Sequence, residues 1–234
     1  EEQEKILPPW YFEQEHKAEF TQPLGGVFRN IIYDVYEEIN GKYVLKHNLH
    51  LHPKVVSGLD WNPVSGHWLV GGRWLENHQG FLVTHSIPIA VGYSHELTEE
   101  AYIAIKDYGI YGNALNIESG GVNEAFCKWF KKWLGNDKAK RDVHVRYEEW
   151  DNMGINKTNA ALELLDKTIY VDRIRFPNLA KMIENCHWVK DTDKLQIEKD
   201  PIDSPHALDA FLHAVNPVLL KEIGMRRIEW YGSQ

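Results

Sequence analysis

The sequence predicts an α/β fold: a mixed sheet of three antiparallel strands followed by parallel ones, flanked by helices. Three observations carry this. Three apolar runs follow one another from Lys54 with only short turns between them, the pattern of an antiparallel meander. Beyond them, short strand-like runs alternate with helix-like segments, which adds strands in parallel. The chain has 234 residues, 43% hydrophobic and 26% charged, an ordinary globular mix long enough for one large domain or one domain with an appendage.

The elements follow in order. "LPPWYFEQEHKAEF" reads as a Pro-led turn and a short polar helix, and "PLGGVF" as a turn. "IIYDVYEEI" and "KYVLKHNLHL" alternate on either side of Asn40-Gly41, a good hairpin signal. Residues 1–50 read as too small to hold a core of their own, so they are expected to pack on the rest or on a neighbour. Residues 51–234 are expected to form the main domain. There "KVVSGLDWNP" is a strand ending at a turn, and "HWLVGGRWL" and "GFLVTHSIPI" are two more around "ENHQG". "TEEAYIAIKDYG" is a helix that Thr98 can cap and Gly109 can end. Then come "NALNIES" (strand), "VNEAFCKWFKKWLG" (helix), "DVHVRYE" (strand), "NKTNAALELLD" (helix), "TIYVD" (strand) and "FPNLAKMIENCHWVK" (helix). "DSPHALDAFLHAV" closes the set as a helix that Pro205 opens and Asp203 or Ser204 can cap. This is also the strand order of the ribonuclease H-like fold.

Charge and cysteine content narrow the function. A net charge of -8 argues against a general nucleic-acid binder. A metal nuclease is compatible with it, because clustered carboxylates lower the total. Local basic density exists too: Lys128, Lys131, Lys132, Lys138, Lys140, Arg141 and Arg146 fall in one stretch beside only Asp137 and Asp142. The plain reading of that stretch is a solvated helix end and loop. No apolar run approaches the roughly 18 residues of a membrane span, and "EEQEKILPPW" is too acidic and polar for a signal peptide. Cys127 and Cys186 form neither a zinc spacing nor a disulfide framework, so a reducing intracellular compartment is expected. Nine Trp and eleven Tyr suit a packed core or a stacking surface.

Open α/β sheets place their sites at the carboxyl ends of strands. Asp60 ends the first core strand, and Glu118 ends the fourth. On the final helix, Leu208, Phe211, Leu212 and Val215 share one face, and His206, Asp209 and His213 the other. By itself that second face reads as the solvated side of an amphipathic helix. A lone strand-end acid likewise reads most simply as a turn residue. Together they suit phosphodiester hydrolysis, which needs a deprotonated water and charge relief on the leaving oxygen. Two Mg²⁺ or Mn²⁺ ions can supply both. Asp60 would bridge them, Glu118 and Asp209 would complete their shells, and an imidazole at His206 would favour Mn²⁺.

Contacts to DNA are expected from Lys157-Thr158 at a helix N-terminus and from Lys128, Lys131, Lys132, Lys138, Lys140 and Arg141 along the backbone. Lys157-Thr158 also reads as a simple surface cap. Trp61 and Trp74 can stack on bases or fill the core. "HNLHLH" alternates like a strand face and lacks zinc-like partners nearby.

From about residue 50 to its end, the chain resembles the nuclease domain of the large terminase subunit, the DNA-packaging motor of tailed bacteriophages. The resemblance rests on "GLDWNP", "LNIESGG" and "SPHALDAFLHAV". Glu118 stands where the family more commonly has Asp, and Pro205-His206 where many members have adjacent acids. One branch has His-x-x-Asp there. The resemblance implies a metal-dependent endonuclease that cuts double-stranded viral DNA during packaging, with Asp60, Glu118, Asp209 and His206 as ligands and Asp203 in reserve. It implies the portal protein and small terminase subunit as partners, and the host cell cytoplasm as location. "WYFEQEHKAEFTQPLGGVF" resembles the end of the terminase ATPase domain and its linker, yet no Walker A loop occurs, so no ATP hydrolysis is expected. Two other readings stay open: a non-catalytic DNA- or portal-docking domain of the same fold, and a junction-resolvase-like nuclease.

Overall fold

Alternating apolar runs bounded by turn residues form strands because every second side chain can then reach a core. The computed structural model describes residues 27–61, 67–89, 114–118, 128, 132, 146–150, 154–188, 197–198 and 206–232. Its strands are β1 (Ile31–Ile32), β2 (Tyr36–Ile39), β3 (Lys42–Leu45), β4 (Leu51–Asp60), β5 (His67–Leu75), β6 (Gly80–Ile89), β7 (Ala114–Glu118), β8 (Arg146–Trp150), β9 (Thr168–Tyr170), β10 (His187–Trp188) and β11 (Ile197–Glu198). Its helices, among the described residues, are α1 (Gly154–Leu164), α2 (Pro177–Glu184) and α3 (His206–Gly232). The expected helix over residues 98–109 lies outside the described residues. No described helix is long and apolar enough to cross a membrane.

Seven strands form the main sheet in the order β1-β9-β6-β5-β4-β7-β8. β4, β5 and β6 are the expected antiparallel meander. β7 and β8 add in parallel beside β4, and β9 and β1 add in parallel beside β6. This is the predicted ribonuclease H-like mixed sheet. One consequence places the site: β4 and β7 are neighbours pointing the same way, so their carboxyl ends lie side by side.

The hairpin at Asn40-Gly41 forms as read. β2 and β3 pair across a two-residue turn in which Asn40 (φ 53°) and Gly41 (φ 74°) are both left-handed, as a type I′ turn requires. The run before it does not stay one strand. β1 joins the main sheet through β9, and β2 turns away to pair with β3. Asp172, from beyond β9, causes the break. Its Oδ2 accepts the Tyr36 N–H at 3.0 Å, and its Oδ1 accepts the N–H groups of Ile174 and Arg175. Val27 and Phe28 belong to the same buried cluster as the sheet and helices.

Three helix bounds differ from expectation. α3 runs on beyond the expected "DSPHALDAFLHAV", through Pro217 to Gly232. α2 begins at Pro177 but stops at Glu184, because the chain turns out to pair β10 with β11 and the Cys186 carbonyl accepts the Val27 N–H. α1 begins at Gly154, two residues before the expected start, so Lys157 is its fourth residue and Thr158 its fifth.

The larger correction concerns α3. Its Leu208, Phe211, Leu212 and Val215 are buried as expected, with Phe211 meeting Phe28 and Phe81 edge-on. The opposite face is not solvated, since His206 is only 5% exposed and His213 only 1%. The helix packs on β4 and β5 and also touches α1 and α2, so its early turns are enclosed. Ala207, Ala210 and Ala214 make close approach possible.

Trp61 and Trp74 are core residues, 3% and 4% exposed. Another buried polar group lies within the meander. His85 shares hydrogen bonds with Ser57 Oγ and Thr84 Oγ1, each at 3.1 Å. Gly71 leaves the space, since a Cβ there would stand 2.5 Å from His85 Nε2. Burial lowers the imidazole pKa from 6.5 to about 4. The unfolded chain therefore binds a proton that the folded chain refuses between those values. Stability is full above pH 6.5 and falls as the pH drops towards 4, by about 3 kcal/mol from this group. His85→Asn should flatten that acid limb. Urea unfolding at pH 7 and pH 4.5 checks it: an equal stability difference from wild type at both pH values would refute the assignment.

Candidate functional site

Asp60 is the last ladder residue of β4, paired with Trp68. The strand stops there because Trp61 leaves the sheet to stack flat on His67, with ring centroids 3.7 Å apart and 7° between planes. The side chain of Asp60 is 12% exposed, so it reaches solvent from an otherwise buried strand end. On β7 the register runs Gly58↔Asn116 and Leu59↔Ile117. Glu118 therefore follows at the position beside Asp60, about 4.8 Å across the ladder. Its side chain lies outside the described residues.

α3 comes down on this edge. His206, its first residue, places Nδ1 2.5 Å from Asp60 Oδ2. Asp209 lies half-buried in the same first turn. His213, two turns along, places Nε2 4.0 Å from Asp60 Oδ1. Contact is this close because Gly58 has no side chain. A Cβ there would sit 2.0 Å from the Ala210 carbonyl oxygen and 2.5 Å from Ala214 N. Asn116, beside Gly58, is 1% exposed, and neither atom of its amide has a hydrogen-bond partner among the described residues. Leaving such a group unpaired costs about 1–3 kcal/mol. Its position two residues before Glu118 marks this corner as polar at a cost to stability.

The structure thus brings Asp60 and His206 into contact and sets the backbone of Glu118 beside them, with Asp209 one turn from His206. Asp203 lies outside the described residues. His213 and Gly58 carry the geometry without having been assigned a role from sequence. The signal for His213 was its seven-residue spacing from His206; for Gly58 it was a glycine inside a strand. The donor set, carboxylate and imidazole, suits a divalent cation such as Mn²⁺. As they stand, no three His, Cys, Asp or Glu side chains among the described residues are gathered into a cage for an ion. Asp60 and His206 instead hold each other.

Of the residues expected at DNA, Lys128 and Lys132 are helical and exposed. Lys131, Lys138, Lys140 and Arg141 lie outside the described residues. Lys157 is the fourth residue of α1, and Thr158 beside it is buried and donates to Asn216 Oδ1 at 2.7 Å. In the "HNLHLH" run, His52 Nδ1 accepts the Lys54 N–H, and its ring lies 6.1 Å from that of His78.

No protein-family model matches the sequence, and no curated protein matches it. Solved structures do. The large terminase of a thermophilic bacteriophage aligns over 93% of this chain with a TM-score of 0.57 and 11% identity. The chain spans about half of that protein, 51%. The nuclease domain of the P22 large terminase aligns over 87% of this chain and 95% of its own length, at TM-score 0.51 and 10% identity. The large terminase nuclease of the thermophilic phage G20c with bound cobalt aligns over 82% and 97%, at TM-score 0.51 and 11% identity. At these identities the likeness is one of fold, and the fold is that of large terminase nuclease domains.

Proposed function

We propose that this chain is a metal-dependent endonuclease that cuts double-stranded DNA during viral genome packaging. The observation that carries the reading is the meeting of Asp60 with His206 across 146 residues of sequence, at 2.5 Å, beside the end of β7. Asp60 would bridge two Mg²⁺ or Mn²⁺ ions, with Glu118 completing one shell and His206 and Asp209 the other. When bound, such ions supply a deprotonated water and neutralise charge on the leaving oxygen. The chain's own part is to aim the ligands. His206 could keep its Nδ1 bond to Asp60 Oδ2 and offer Nε2 to a cation.

Lys128, Lys131, Lys132, Lys140, Arg141 and Lys157 would hold the DNA by its phosphates, which gives affinity without sequence information. Residues 1–50 would be a linker or the end of a preceding ATPase domain with a hairpin, its residues 27–32 packed into the core and sheet of the nuclease fold. The portal protein and the small terminase subunit would be partners in the full motor, in the host cytoplasm. The alternative reading is a docking domain that binds DNA or portal without cutting.

Supercoiled plasmid with Mn²⁺, Mg²⁺ or EDTA separates the two. Nicking and linearisation are expected with Mn²⁺ and Mg²⁺ and none with EDTA. DNA that is retained on the protein but uncut with every metal would point to the docking domain instead. Preference for a four-way junction over linear duplex would point to a resolvase.

A further inference from the structure

Both oxygens of Asp60 are approached by imidazoles, and both imidazoles come from α3. His206 stands at Oδ2 and His213 at Oδ1, at 2.5 Å and 4.0 Å. Their seven-residue spacing is two helical turns, which puts them on one stripe. His213 is 1% exposed, in a stretch of helix otherwise filled by Ala210, Phe211, Leu212, Ala214 and Val215. The sheet is also shaped around it: a Cβ on Gly58 would stand 2.6 Å from the Cβ of His213.

We propose that His213 is a positioning residue for Asp60, acting on the carboxylate and not on substrate. This rests on the metal site proposed above. A separation of 4.0 Å is longer than a hydrogen bond, and a small rotation of the carboxylate would bring Oδ1 within one. While His206 holds Oδ2, His213 faces Oδ1. A cation at Asp60 would compete with His206 for the carboxylate and loosen its hold about the χ2 bond. His213 would then limit that rotation from the Oδ1 side, keeping the carboxylate aimed at the ions. Partners of metal ligands set affinity in this way, typically by about 10–100-fold.

The test compares wild type, His213→Leu and His213→Gln as full chains. Mn²⁺ affinity is read by electron paramagnetic resonance, alongside melting temperature. His213→Leu should raise the Mn²⁺ dissociation constant about 10–100-fold without lowering the melting temperature by more than a few degrees. His213→Gln, whose amide can still reach Asp60, should recover most of the affinity. Equal Mn²⁺ affinity in His213→Leu and wild type overturns the proposal. If wild type binds no Mn²⁺, the metal reading fails, and the metal-free proteins decide the rest. There the ¹⁵N shift of His206 Nδ1 reports its bond to Asp60. A shift changed in His213→Leu and restored in His213→Gln supports positioning, and an unchanged shift overturns it.

Discussion

Asp60→Asn is expected to abolish metal-dependent DNA cleavage and leave the fold intact. The amide has the size of the carboxylate and still offers His206 an acceptor at the position 2.5 Å from Nδ1. What it loses is the negative charge. Asp60 is mostly enclosed, its side chain 12% exposed, so solvent screens that charge little and a cation feels most of it. A ligand that bridges two cations contributes several kcal/mol to stabilising the charged transition state, so its loss should cost on the order of a thousandfold in rate. Melting temperature should move by only a few degrees. Plasmid cleavage and a thermal melt on the same preparation check both halves. Cleavage within about tenfold of wild type would mean that Asp60 ligates no catalytic ion.

Gly58→Ala is expected to harm fold and site together. The new Cβ would lie 2.0 Å from the Ala210 carbonyl oxygen and 2.5 Å from Ala214 N. Both are backbone atoms of the most enclosed part of α3, so no side chain can swing aside to relieve the clash. The helix must lift from β4. Overpacking of this kind costs typically about 1–3 kcal/mol and occasionally more. A loss of about 3 kcal/mol in a chain of this size lowers the melting temperature by roughly 6–12 °C. Because His206 and His213 ride on the same helix, lifting it parts them from Asp60, and Mn²⁺ affinity should fall as well. Asn116→Ala, on the neighbouring strand, is the control: it removes an unpaired buried amide and should not destabilise. A Gly58→Ala protein that melts like wild type would mean that α3 does not sit as close to β4 as described.

The two outcomes differ in a way that separates chemistry from support. Asp60→Asn should lose activity at constant stability, and Gly58→Ala should lose both. His85 responds to neither, since it is bonded to Ser57 and Thr84 rather than to α3.

Much of the sheet was legible in the sequence. "HWLVGGRWL" and "GFLVTHSIPI" are β5 and β6 from first residue to last, because alternation and the turn between them are local properties. The Asn40-Gly41 turn was legible for the same reason: left-handed backbone at two successive residues selects these residue types. Asp60 and His206 stood out as strand-end acid and helix-start imidazole, and the fold sets them in contact. Less legible were the ends and the faces. The run over residues 31–39 splits because a carboxylate 136 residues away takes the Tyr36 N–H. α2 ends early because a carbonyl is needed by Val27. The polar stripe of α3 read as solvated because a helical wheel records which residues share a face and not what covers that face.

Local pattern was enough for the order of elements, the antiparallel meander with parallel additions, and the residue types suited to a divalent cation. Contacts between distant elements were needed for three things: the burial of the polar stripe of α3, the descent of that helix onto β4 at Gly58, and the approach of His213 to the second oxygen of Asp60. The reason is one of range. Strand and turn preferences arise between residues a few positions apart, whereas burial and the pairing of particular oxygens depend on which two surfaces meet, and no local pattern encodes that.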